Sequence, residues 1–255
     1  MLTHRVDGDG PPLLLLNGGL MSIAAWQPFM EPLAKHYRVI RCDFRGQLLS
    51  PGPFPTTFEE HARDVVDMLD ELKVDRAHVV GVSFGGLVAM LLAALHPERV
   101  ARLTVIAATD YTEQWMRDDA VASRLIAEGA ATGSGDGGEL VRQISAATFS
   151  DWWLAKQPPD LIEKRAQMVA TLPPSYFAGA AAILRLLETL DLRPQLSRIT
   201  APALIVGGEN DRVFPIDHTR AIAAAIPCAR LEIVAGTGHG LIIERADRVL
   251  ELLLD

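Results

Sequence analysis

The chain has 255 residues, 49% of them hydrophobic and 22% charged, and carries a formal net charge of -8. This composition excludes a disordered chain, and the length suffices for a large core, either one α/β domain with an insertion or two modest domains. An acidic balance without a basic run argues against sequence-independent nucleic-acid binding, which relies on clustered Lys and Arg.

In chain order, a short strand is expected at 2–6, a turn at Asp7-Gly8-Asp9-Gly10, and a stronger strand at 12–16 that stops at Asn17-Gly18-Gly19-Leu20. A helix pattern at 26–34 leads to a strand at 37–42 and the loop Asp43-Phe44-Arg45-Gly46. Apolar residues at helical spacing over 58–72, with Thr57 as N-cap, deliver the chain to a strand at 78–82, followed by Ser83-Phe84-Gly85-Gly86 and the apolar run 87–95. The next strand is expected at 103–107. Residues 111–191 then show only helix-like segments, divided by the glycine cluster at 133–138 and by two proline pairs. With no strand before it, that cluster reads as a flexible connection rather than a phosphate-binding loop. A strand at 203–206, a helix at 217–226, a strand at 231–234 and an amphipathic helix at 246–254 complete the chain. Strands alternating with helices imply a mostly parallel, doubly wound sheet of the α/β class, whose ligands gather at the carboxyl ends of the strands.

Cys42 and Cys228 lack a paired spacing and read as buried free thiols, with a reducing cytoplasm as the natural setting. The run 13–16 is too short for a signal-peptide core. The run 87–95 falls far below the roughly 20 residues that span a bilayer, so no membrane segment is expected.

Chemistry concentrates at three strand ends. Gly81-Val82-Ser83-Phe84-Gly85 has the layout of a nucleophile elbow: glycines let strand and helix approach closely while the serine projects its hydroxyl. Asp211 follows the strand at 203–206 and His239 the strand at 231–234, so parallel strands would bring both to the edge that carries Ser83. A serine hydroxyl needs an imidazole to take its proton, and the imidazole needs an acid to fix its tautomer. The backbone N–H of Phe84 would be one oxyanion donor and that of Gly19, or else Leu20, the other. Asp110, past the strand at 103–107, is a competing acid; Asp211 is preferred because it ends a Gly-Gly-Glu-Asn turn before Val213-Phe214-Pro215. His96 and His218 read as surface or capping groups, and Asp43 and Arg45 as structural.

On these residues the chain resembles the α/β-hydrolase superfamily over nearly its whole length. The matching pieces are Asn17-Gly18-Gly19, Asp43-Phe44-Arg45-Gly46, the segment around Ser83, Gly208-Glu209-Asn210-Asp211, and Gly238-His239 with Glu244 beyond. Their spacing is most similar to the small bacterial branch of esterases, enol-lactonases, C–C hydrolases and cofactor-free haloperoxidases. Three departures stand out: Asn17 where His is usual, a Leu in Arg45-Gly46-Gln47-Leu48-Leu49-Ser50 where a second Gly is common, and a start close to the second strand of the usual fold. The resemblance implies a hydrolase core of residues 1–110 and 192–255 with a helical cap at 111–191. It further implies a serine hydrolase acting on an ester, lactone or thioester of a small apolar or aromatic molecule, with no metal or organic cofactor. C–C bond hydrolysis or perhydrolysis on the same triad is the alternative, and a ligand-binding protein without turnover is the reading from another class. Trp115, Met116, Phe149, Trp152, Trp153, Met168, Tyr176 and Phe177 are expected to be mostly cap core, with a subset against substrate.

Overall fold

In the computed structural model, which describes residues 2–48, 50 and 52–255, seven strands form one sheet. The 45–50 loop noted above includes Leu49, which lies outside the described residues. The chain runs β1 (His4–Asp7), β2 (Pro12–Leu16), α1 (Gln27–Leu33), β3 (Arg38–Cys42), α2 (Phe58–Glu71), β4 (Ala77–Val82), α3 (Phe84–Leu95) and β5 (Val100–Ile106). Helices α4 (Gln114–Thr132), α5 (Gly137–Thr148), α6 (Asp151–Leu154), α7 (Leu161–Ala170) and α8 (Pro174–Leu187) come next. After them follow α9 (Arg193–Leu196), β6 (Ala203–Gly208), α10 (Ile216–Ala225), β7 (Ala229–Val234), α11 (Leu241–Glu244) and α12 (Ala246–Leu254). The strand order is β1-β3-β2-β4-β5-β6-β7; β1 pairs antiparallel with β3 and every other neighbouring pair is parallel.

Strand alternation divides the core into two layers. Leu14, Leu16, Ile40, Val79, Leu103 and Ile205 face one side, where α2, α3, α9 and α10 cover them. Leu13, Leu15, Val39, Val80, Ile106 and Val206 face the other, beneath α1, α11 and α12. Because helices cover both faces, the central strands are apolar at nearly every position. Helix α3, buried from Phe84 to Ala94, is apolar all round for the same reason. Thr57 caps α2 by accepting the Glu60 N–H, as its sequence position predicts.

Residues 111–191 are helical and are tied at their base, where Tyr111 bridges antiparallel to Asp191. The glycine cluster is a hydrogen-bonded helix junction rather than a loose connection: Gly133 ends α4 at φ 75°, and Asp136 caps α5 by accepting the Gly138 N–H. Two expectations are corrected. Cys228 is exposed, since it precedes β7 in a turn, while Cys42 is buried on β3, where burial pushes its thiol far above the usual range. His218 is buried rather than at the surface, because it faces two carboxylates beneath the insertion. No helix among the described residues is long and apolar enough to cross a membrane.

Candidate active site

Ser83 occupies the corner between β4 and α3 with φ 51° and ψ -119°. That region is sparsely populated by L-residues and costs on the order of 1–3 kcal/mol, so the surroundings must enforce it. They do so by proximity: a Cβ on Gly81 would run into the carbonyl of Gly85, and one on Gly85 would meet the backbone carbonyls of Leu16 and Asn17. The Ser83 N–H donates to Ile106 O at 2.8 Å, and the Ser83 carbonyl accepts from Gly86 N at 2.8 Å and Leu87 N at 3.1 Å. Sheet and helix together hold the strained residue.

His239, in the loop after β7, has Nε2 3.0 Å from Ser83 Oγ and Nδ1 2.9 Å from Asp211 Oδ2. Asp211 Oδ1 accepts from the N–H groups of Val213 and Phe214, each at 2.8 Å. Both oxygens of the buried carboxylate are therefore engaged, which fixes the face it presents to the imidazole. The His239 loop is anchored in turn. Buried Glu244 accepts from Gly238 N at 3.2 Å and from Ser150 N at 2.8 Å, and Gly240 N donates to Thr148 O at 2.8 Å. The competing acid is engaged elsewhere, with Asp110 Oδ1 2.6 Å from His218 Nδ1.

The loop after β2 lies against the elbow: a Cβ on Gly18 would come 3.6 Å from Ser83 Cβ, and one on Gly19 would come 3.7 Å from Phe84 Cβ. Buried Asn17 donates to Asp43 Oδ1 at 2.9 Å and accepts the Trp26 indole N–H at 2.8 Å. Gln47 completes the clamp. Its Nε2 donates to Gly18 O at 2.7 Å and to Gly19 O at 3.2 Å, while its Oε1 accepts from Phe44 N at 3.0 Å. Asn17, one of the departures from the family pattern, and Gln47 thus anchor the glycine loop through side-chain amides. Arg45 pairs with Asp64 on α2 at 2.6 Å, in line with a structural role.

A cavity of about 400 Å³ opens at Ser83 and His239 between the sheet edge and the inserted helices. Of the aromatic and methionine residues singled out from sequence, Trp115, Met116 and Phe149 line it. Phe177 is buried inside the insertion, whereas Trp152 and Met168 are exposed, 49% and 63%, and belong to no core. Lining groups without a sequence signal include Met21, Ile144, Leu184, Ile243 and, carrying charge, Arg165.

The chain belongs to the α/β-hydrolase fold family, whose sequence pattern it matches over residues 11–246. It is a hydrolase of that fold, in the small bacterial branch. Among its relatives, a candidate carbamate hydrolase, RutD, of Azorhizobium caulinodans is 31% identical over 99% of this chain and 93% of its own length. A 3-oxoadipate enol-lactonase of Acinetobacter baylyi is 30% identical, covering 98% of this chain and 91% of its own. Among solved structures, the enol-lactonase of Burkholderia xenovorans superposes with a TM-score of 0.85 at 28% identity, over 100% of this chain and 95% of that one.

Proposed function

We propose that Ser83, His239 and Asp211 are nucleophile, general base and orienting acid of a serine hydrolase that cleaves an ester, lactone or thioester through an acyl-enzyme. The observation that carries this reading is the imidazole of His239, with one nitrogen at Ser83 Oγ and the other at Asp211. As Oγ attacks the acyl carbon, Nε2 takes its proton; Asp211 stabilises the imidazolium, which then protonates the leaving group. A water enters, gives a proton to Nε2 and attacks the acyl-enzyme, and Ser83 regains its proton as the acid leaves. The developing oxyanion lies between the Phe84 N–H, at the positive end of twelve-residue α3, and the Gly19 N–H. Relatives named for enol-lactone and carbamate hydrolysis support the class, since both reactions proceed at an acyl carbonyl. In this reading residues 111–191 act as a cap that selects what reaches Ser83.

The test is a fluorophosphonate probe together with short p-nitrophenyl esters. The parent is expected to label at Ser83 and to turn the esters over, and Ser83→Ala to lose labelling and roughly 10⁴-fold or more in kcat. Full ester turnover in Ser83→Ala would sink the proposal.

A further inference from the structure

The cavity at Ser83 is lined mainly by apolar groups, yet three charged side chains reach it: Asp119, Arg165 and Arg212. Asp119, on α4, is largely exposed to solvent. Arg212 is occupied, since it donates to Asp151 at 2.7 Å and to Phe149 O at 3.1 Å. Arg165, on α7, differs from the structurally engaged arginines. Arg124, Arg142 and Arg193 each hold a carboxylate, whereas among the described residues Arg165 has neither a carboxylate nor a carbonyl partner. Its guanidinium lies 5.1 Å over the ring of buried Phe149, which lines the same cavity. Burial depresses the guanidinium below its ordinary range, so an anion beside it would offset a desolvation cost. A ring face engages the flat surface of the guanidinium and leaves its N–H donors free to meet an anion in the cavity. A half-buried guanidinium with open donors, pointing into an apolar cavity, is matched by a carboxylate, whose two oxygens fit its planar fork.

We infer that Arg165 is the receptor for a carboxylate carried by the substrate at the end of its chain remote from the scissile acyl group. The substrate class is therefore an ester, lactone or thioester of an apolar chain ending in a carboxylate. This inference rests on the reading of Ser83 as the nucleophile and narrows it. The apolar walls take the chain, and Arg165 sets the distance from the anion to the reacting carbon.

The experiment uses pairs of p-nitrophenyl esters that differ only at the chain end, the hexanoate against the adipate monoester, with succinate, glutarate and suberate monoesters to vary reach. The quantity read is the ratio of kcat/KM for the anionic ester to that for the neutral one. In the parent this ratio is expected to exceed one for at least one chain length, and Arg165→Gln to lower it by roughly ten- to a hundredfold, as for loss of a charged hydrogen-bond partner. Arg165→Lys restores part of it and Arg165→Glu pushes it below the Gln value. A ratio below one at every length, or one that Arg165→Gln leaves unchanged, overturns the inference. If the parent neither labels at Ser83 nor turns over any ester, the hydrolase reading fails, and calorimetric binding of adipate to the parent and to Arg165→Gln decides the receptor separately. Tenfold weaker binding by the variant upholds it, and equal or absent binding in both overturns it.

Discussion

At the scale of single residues, the geometry around Ser83 depends on groups that hold peptide bonds as much as on Ser83, His239 and Asp211 themselves. In a trans peptide the N–H points opposite to the C=O, so a side chain that grips the carbonyl of Gly18 also sets the direction of the Gly19 N–H. Gln47 does this with one amide nitrogen for two successive carbonyls, and buried Asn17 fixes the residue before them. If the Gly19 N–H stabilises the oxyanion, Gln47 is a positioning residue. Gln47→Glu is nearly isosteric but sets an acceptor against two carbonyls. It is expected to lower kcat about 10- to 100-fold with KM little changed, and to weaken a trifluoromethyl ketone inhibitor in proportion. A fall in thermal stability with kcat intact would leave Gln47 only a structural part. The juxtaposition of Ser83, Asp211 and His239 was legible in the sequence because each lies in the turn or loop that follows a parallel β-strand, beside glycines that suit a tight turn. Gln47 and Arg165 were not, because an amide or a guanidinium in a loop or helix has no pattern that separates it from a solvated one.

At the scale of elements, the inserted helices are fastened to the core at their first turn. Glu113, N-cap of α4, has Oε1 3.2 Å from His218 Nε2 on α10, and its Oε2 accepts the Trp115 indole at 2.8 Å. Nδ1 of the same imidazole meets Asp110 at 2.6 Å, Tyr111 packs edge-on at 5.1 Å, and Arg193 on α9 sits 4.1 Å over the Tyr111 ring. Asp217, beside His218 in the chain, pairs instead with Arg220. Burial works against the charged imidazole, but the hydrogen bond and charge of Asp110, with Glu113, outweigh it and raise the pKa of His218. A raised value in the folded state means that the protonated form stabilises the fold. That contribution is complete below the unfolded value near 6.5 and is lost as pH rises through the folded value. His218→Gln is therefore expected to cost about 2 kcal/mol near pH 5.5 and less near pH 9, with the gap read by thermal unfolding of parent and variant across pH. A gap that widens with pH would contradict the clamp. The sequence read His218 as peripheral, since a histidine in a first helical turn looks the same whether it caps the helix or meets carboxylates from a distant segment; the pairing of β5 with β6 beneath the insertion is what decides.

At the scale of the whole molecule, the same sheet that aligns the site also buries two histidines that must stay neutral, and these act on stability in the opposite sense. His78, on β4, is 2.8 Å from Thr104 Oγ1 on β5; burial, with Arg102 nearby, pushes its pKa down to about 3. His61, on α2, is wedged edge-on between Phe44 and Phe84 at 5.3 and 5.1 Å, and burial with Arg45 pushes it down to about 4. A depressed value in the folded state means that neutral imidazole stabilises the fold: the contribution is complete above the unfolded value near 6.5 and is lost as pH falls toward the folded values. At 1.36 kcal/mol per unit, shifts of this size amount to about 3 kcal/mol or more for each residue, comparable with the 5–15 kcal/mol that separates folded from unfolded domains. His218 is a single residue pulling the other way. Carboxylates held by arginines on the surface, such as Asp136 and Glu163, have lowered values and lose their pairs only below the ordinary carboxylate range. The window between about pH 6.5 and pH 4 therefore belongs to the histidines, and the midpoint of thermal unfolding is expected to fall steeply across it. His78→Gln keeps a hydrogen-bonding group for Thr104 and removes the titration, so it is expected to flatten that limb even if it lowers stability near pH 8. An unfolding midpoint as steep in His78→Gln as in the parent would show that other groups control the acid limb.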